Sequence, residues 1–134
     1  MTTLTRMSIS LEEELLQEFD RQVKADGYPT RSEAIKALIR RSLVENEWER
    51  GGLVAGTVVI VYDHHKHDML HQLMHAQHDY SDVIISSQHV HLDHHNCMET
   101  ITVRGDAARI QGMNAALKAV KGLKHHAQVI TAAG

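Results

Sequence analysis

Between residues 4 and 11 apolar and polar side chains alternate, with Met7, Ile9 and Leu11 on one side of an extended chain and Arg6, Ser8 and Ser10 on the other. A period of two predicts a half-buried strand. Ser10 stands three residues before Glu13, the spacing of a capping box, so a helix is expected directly after this strand. Leu15, Leu16, Phe19 and Val23 then recur at helical spacing, Gly27 ends the helix, and Tyr28-Pro29 turns the corner. Thr30 and Glu33 repeat the capping signature ahead of a second helix lined by Ile35, Leu38, Ile39 and Leu43. A Glu- and Arg-flanked linker follows and ends in Gly51-Gly52.

Beyond the linker the periodicity changes. Residues 54–62 form a strongly apolar strand, and residues 66–78 a helix with Met69, Leu70, Leu73 and Met74 as its apolar stripe. Residues 82–92 and 97–104 form a hairpin. Residues 106–121 are an amphipathic helix through Ile110, Met113, Leu117 and Val120, stopped by Gly122, and residues 124–131 are a last strand. The order βαββαβ predicts a ferredoxin-like split βαβ sandwich. The chain as a whole is therefore expected to be α+β, with a small βαα unit over residues 1–50 and the sandwich over residues 53–134.

The βαα unit poses a physical problem. One short strand and two short helices cannot close a core, and a lone strand has open edges. Two copies solve both by pairing their strands antiparallel and interlocking their helices. Composition points the same way: 134 residues with 43% hydrophobic content can build a core, but two small units each bury little surface, so oligomerisation is expected. The net charge of −3 makes no whole-chain case for nucleic acid, and residues 1–50 carry more acidic than basic side chains. Any DNA specificity must then come from a local element. A single cysteine excludes an intrachain disulfide and fits a reducing cytoplasm. No apolar run approaches membrane-spanning length and the N-terminus lacks an apolar signal core, so a cytoplasmic, membrane-free protein is expected.

The chemistry is concentrated late in the chain, where all 12 histidines lie at or after His64. His89 and His91 stand two apart in the hairpin, so a strand aims both imidazoles to one side, roughly 6.5–7 Å apart. That spacing lets both reach one metal ion. Val90 and Leu92 would face the other way, into a core. The polar run from Asp93 to Asn96 predicts the turn that returns Cys97, the only cysteine, on the neighbouring strand. Two imidazoles and a thiolate make three ligands, and a fourth is missing. The plainer alternative is a solvated polar face beside a small buried cysteine. His67, His71, His75 and His78 share one helix face, where solvation is the plainer reading for the first three. His78, at the helix end, can project away from its own protomer. His94-His95 and His125-His126 are expected to be exposed. No general base or Glu-x-x-His helix accompanies the cluster, so an enzyme is not expected.

The capping signatures, the element spacing and the run Arg31-Ser32-Glu33-Ala34-Ile35 resemble the ribbon-helix-helix class of DNA-binding proteins, whose paired strands enter the major groove. That resemblance implies that Arg6, Ser8 and Ser10 face base edges. It also implies that the helix start near Thr30 and Arg31 holds a phosphate, with Lys36, Arg40 and Arg41 as further phosphate candidates. Nearly the whole chain, through Gln77-His78 and His89-x-His91 followed by Cys97, is similar to the nickel-responsive transcriptional regulators, which join such a domain to an ACT-like regulatory domain. The resemblance implies a Ni(II) site made by His89, His91 and Cys97 of one subunit with His78 from its neighbour. It implies a homotetramer, a dimer of dimers, whose metal occupancy switches affinity for double-stranded operator DNA and represses nickel uptake. Three nitrogens and a thiolate suit low-spin Ni(II), which favours a square plane. Glu99, two residues past Cys97 on the same strand, and Tyr62 are expected to support the ligands from behind. Some members carry an acidic residue one turn after the position of Glu33 for a cation between the domains; here Ala37 stands there. The competing expectation is an ACT-type regulator that senses an amino acid or other small ligand, with the histidines incidental.

Overall fold

The computed structural model describes residues 2–133, in two compact units that divide at Arg40 and Arg41. In the first unit, α1 spans Glu13–Ala25 and α2 starts at Arg31. The corner between them is built by local hydrogen bonding. Gly27 takes φ +80°, and its amide donates to the carbonyl of Lys24 while that of Tyr28 donates to Val23. This pair of bonds satisfies carbonyls that the helix end leaves free, in a backbone conformation that glycine adopts without steric cost. Thr30 caps α2 as expected, its hydroxyl accepting the Glu33 amide at 3.1 Å. Ser10 does not cap α1: the N-cap is Glu12, and no side-chain cap bond forms there.

The predicted strand over residues 4–11 is not formed in the single chain, where residues 2–12 have no regular structure and are exposed. A strand is a hydrogen-bonded pair, and one copy offers no ladder to pair with. Ile9 and Leu11 nevertheless border a small cleft with Leu16, Phe19 and Ile35, so the alternating pattern turns its apolar side toward the helices. Ala34 is the one buried hydrophobic residue of this unit among those described, and Leu15, Leu38 and Ile39 stay about half exposed. A single copy leaves its core open.

The expected linker is helical instead, because α2 continues to Arg50 and stops where Gly51 takes φ +82°. The second unit then follows as β1 (Leu53–Asp63), α3 (His67–Asp79), β2 (Ile84–His91), β3 (Asn96–Asp106), α4 (Ala107–Lys118) and β4 (His125–Ala132). The four strands form one antiparallel sheet in the order β2-β3-β1-β4. This is the βαββαβ topology that the pattern predicts. Val54, Val58, Ile60 and Tyr62 of β1 and Ile101 and Val103 of β3 pack with Met69 and Leu73 of α3 and Ile110, Met113 and Leu117 of α4. Among the described residues no helix is long and apolar enough to cross a membrane.

Three expectations change in the sheet layer. Val90 and Leu92 do face away from the histidines, but onto an open sheet surface, 37% and 52% exposed, because both helices lie on the histidine side. Met74 is solvent-facing rather than part of the core. His126 is half-buried rather than exposed, since its register opposite Ile60 turns it to the helix side, where Nε2 donates to Asn114 Oδ1 at 3.2 Å.

The register of β2 on β3 carries a bulge. Ile84 pairs with Val103, but Ser86 pairs with Thr102, so Ile85 is an extra residue. Because side chains alternate, one inserted residue exchanges the two faces of everything after it. The exchange sets His89 opposite Glu99 and His91 opposite Cys97, all on the helix side. Deleting Ile85 is expected to leave the histidine register and metal binding intact, whereas deleting both Ile85 and Gln88 should turn both histidines outward and abolish binding; circular dichroism and metal titration on the two variants check this.

Candidate metal centre

Cys97, the first inward residue after the β2–β3 turn, is buried to 3% exposure. It sits in a row with Tyr62 on one side and His91 on the other. The next row back holds Ile60, Glu99 and His89. A cleft of about 210 Å³ opens here, bordered on the helix side by Leu70, Leu73, Met74 and Gln77 of α3. His89, His91, Cys97, Glu99 and Tyr62 all line it, so the structure brings together in one place the three ligands and both supporting residues expected of one chain.

The turn that returns the chain is rigid. Asp93 Oδ1 accepts the amides of His95 and Asn96 at 2.9 and 2.8 Å, and Oδ2 accepts the Asn96 side-chain amide at 2.9 Å. The Asn96 side chain first, then the backbone amides of Asn96 and His95, pull the Asp93 carboxyl down to about 2, so it stays ionised and keeps accepting.

Behind the ligands runs a buried polar chain. The Tyr62 hydroxyl donates to Glu99 Oε2 at 3.1 Å and lies 3.2 Å from His89 Nδ1. With its proton donated to Glu99, the phenol oxygen can accept from Nδ1–H, and the tautomer so favoured keeps the lone pair on Nε2. Burial first, then the charge of Glu99 and the neighbouring Cys97, push the Tyr62 hydroxyl far above its usual pKa, so it remains a neutral donor. Glu99 is 1% exposed, and its Oε1 has no hydrogen-bond partner, with His89 Nε2 3.5 Å away. A buried carboxylate oxygen without a partner is costly, and positive charge in the adjacent cleft offsets that cost. Soft thiolate, imidazoles and an orphaned carboxylate together fit a borderline transition-metal dication.

His78 is not among the residues of this cleft. It stands exposed at the end of α3, beside a separate depression bordered by Met74, Gln77, Ser81 and Ile84. His67, His71 and His75 are also exposed on α3, as a solvated face would be. His64 joins the cleft unexpectedly, its ring 4.8 Å from that of His91 and its Nε2 3.0 Å from the His94 carbonyl. Its place follows from the strand pairing, since the register that sets Tyr62 opposite Cys97 carries the residues just after β1 alongside the β2–β3 turn.

In the N-terminal unit, Arg6, Ser8 and Ser10 are exposed. Arg31 is already engaged, its guanidinium donating to both carboxylate oxygens of Asp20 at 2.8 Å. The Arg31 side chain thereby braces the corner between α1 and α2.

Tyr62→Phe removes the hydroxyl that orients His89 and leaves Glu99 further underbonded. Its nickel affinity is expected to fall about ten- to a hundredfold with unchanged stoichiometry, as measured by competition with a chelator; an unaltered affinity would show that the hydroxyl does not orient the ligand.

Comparison with known proteins agrees with this architecture. Residues 55–131 match the family model described as NikR C terminal nickel binding domain, and residues 5–45 match that of ribbon-helix-helix protein, copG family. A protein of Chlorobaculum tepidum named "Putative nickel-responsive regulator" is 52% identical over 93% of each chain. Proteins of the same name from Chlorobium limicola and Pyrococcus abyssi are each 48% identical, covering 100% of both chains in the first case, and 98% of this chain and 96% of its relative in the second. With the cleft, its donor set and these matches in hand, the chain belongs to the NikR family of nickel-responsive regulators, a ribbon-helix-helix domain followed by a nickel-binding domain.

Proposed function

We propose that this regulator holds Ni(II) with His89, His91 and Cys97 of one subunit and His78 of the partner subunit, in a cytoplasmic homotetramer built as a dimer of dimers. The observation that supports the proposal is the cleft itself, which is lined by His89, His91 and Cys97 of one chain while His78 lies exposed outside it. A ligand set divided between subunits ties metal occupancy to one quaternary arrangement. When bound, nickel supplies a cationic cross-link between subunits, and the residues of this chain do the rest. Tyr62 and Glu99 orient His89, and Asp93 holds the turn that presents Cys97. The DNA-binding unit spans residues 1–50 and the metal-binding unit residues 53–134. Paired N-terminal segments present Arg6, Ser8 and Ser10 to base edges in the major groove, and the start of α2, at Thr30 and Arg31, faces phosphate.

The switch works only if metal is bound more tightly in the DNA-competent arrangement than in the others. Repression of nickel uptake genes is the output this arrangement suits, since excess metal would then close its own entry. The small-ligand alternative loses support because the cleft is lined by metal donors around a buried carboxylate rather than by a pocket for an amino acid.

Operator binding followed by fluorescence anisotropy, with and without Ni(II), is expected to tighten at least about tenfold, a coupling of about 1.4 kcal/mol; equal affinities would overturn the switch. Arg6→Ala should cost about 1–3 kcal/mol of operator affinity and relax specificity at one position. The divided site is tested by mixing subunits. His78→Ala and Cys97→Ser homotetramers should each lack the tight site, and their mixture should regain it in part, because one chain supplies His78 and the other the remaining three ligands. Failure of the mixture to recover any tight binding would place all four ligands within one chain.

A further inference from the structure

The corner of the chain that carries His78 is fastened to α4 through Arg109. His78 is the last residue but one of α3, and the chain then turns through residues 80–83 into β2. Arg109 reaches this turn in three ways. Its Nε donates to Asp82 Oδ2 at 3.2 Å and its Nη2 to Asp82 Oδ1, so two guanidinium nitrogens hold one carboxylate. Nη2 also donates to the Asp79 carbonyl at 3.0 Å, one of the groups that a helix end leaves free. The guanidinium carbon lies 4.4 Å from the centre of the Tyr80 ring, over its face.

Tyr80 is confined by α4 as well. Gly112 lies three residues after Arg109, and a Cβ there would stand 2.9 Å from the Tyr80 hydroxyl and 3.3 Å from the ring edge. The ring therefore occupies a slot that a side chain at position 112 would crowd. The platform beneath is rigid, because Ile110, Met113 and Leu117 of α4 are buried in the core. A solvated ion pair by itself contributes little, and Arg109 and Asp82 are 44% and 58% exposed at their side chains. Here, however, a two-pronged carboxylate, a helix-end carbonyl and an aromatic face converge on one guanidinium. The hydrogen bond from Arg109 first, then its charge, hold the Asp82 carboxyl below its usual range, so the pair stays ionised.

We propose that Arg109 is a positioning residue for the nickel site: by fixing residues 79–82 to α4, it sets the end of α3 that delivers His78 to the partner subunit. This role rests on the ligand set divided between subunits. His78 is exposed, so its direction is set by the helix end that bears it. A ligand on a fixed helix end arrives pre-oriented, whereas a frayed last turn must be ordered when metal binds, and that ordering subtracts from affinity.

Hybrid tetramers of full-length chains separate this role from a general weakening of the fold. In a mixture of His78→Ala and Cys97→Ser chains, the recovered site takes three ligands from the first chain and His78 from the second. Arg109→Ala added to the Cys97→Ser chain should weaken Ni(II) at that site about tenfold in competition with a chelator. Added to the His78→Ala chain, it should leave the affinity unchanged. Asp82→Asn keeps the shape and removes the charge that Arg109 grips; it should act with the same asymmetry and a smaller effect, and it serves where circular dichroism shows that Arg109→Ala does not fold. Equal weakening from both placements, or none from either, would overturn the positioning role and leave the divided site standing. A parent mixture that recovers no tight site would overturn the divided ligand set and this role with it.

Discussion

The register of β2 on β3 is the constraint on which the metal centre depends. Side chains on a strand alternate with a period of two, so a single residue decides whether a whole strand faces the core or the solvent. The extra residue at Ile85 makes that decision here, since Ile84 enters the strand facing the helices and the bulge returns His89 and His91 to that same side. A regular ladder would have sent both imidazoles to the open surface with Val90 and Leu92. The bulge thus re-aims functional side chains at a sheet edge, where an unpaired residue costs least.

Electrostatics follow from that placement. Glu99 sits in the same row as His89, buried against the core, and its Oε1 has no hydrogen-bond partner. A carboxylate in such a position raises the free energy of the metal-free fold, and a nearby dication relieves it. Metal affinity and folding stability are consequently linked through one buried side chain, as expected wherever a site is assembled only in the native state. Tyr62 divides its hydroxyl between Glu99 and His89, which makes the tautomer of the ligand a property of the core.

The same dependence on partners marks the N-terminal unit. Its alternating strand and its two apolar helix faces are all present in the sequence, yet one copy leaves Met7, Ile9, Leu38 and Ile39 between 47% and 73% exposed. Hydrophobic area of that extent is stable only when a second surface covers it. The open core of one unit and the divided ligand set proposed for the other both call for completion by a second surface.

Periodicity and punctuation in the sequence were enough to determine the two N-terminal helices and the βαββαβ order of the second unit, though not a strand over residues 4–11, because apolar spacing, Gly27, the Thr30 cap and the turn at Asp93–Asn96 are local effects of backbone sterics and hydrogen bonding. The donor set His89, His91 and Cys97 was legible for the same reason, since alternation and a tight turn involve only near neighbours. Misread features were local choices of helix boundary and placements set by contacts distant in sequence. Ser10 yielded its cap to Glu12, the supposed linker stayed helical to Arg50, and Val90 and Leu92 met solvent because both helices pack on the other face. His64 in the cleft and the orphaned oxygen of Glu99 arise from the pairing of β1 with β3. Tertiary structure alone decided these, because long-range register depends on the packing of the whole sheet and leaves no periodic trace in the residues themselves.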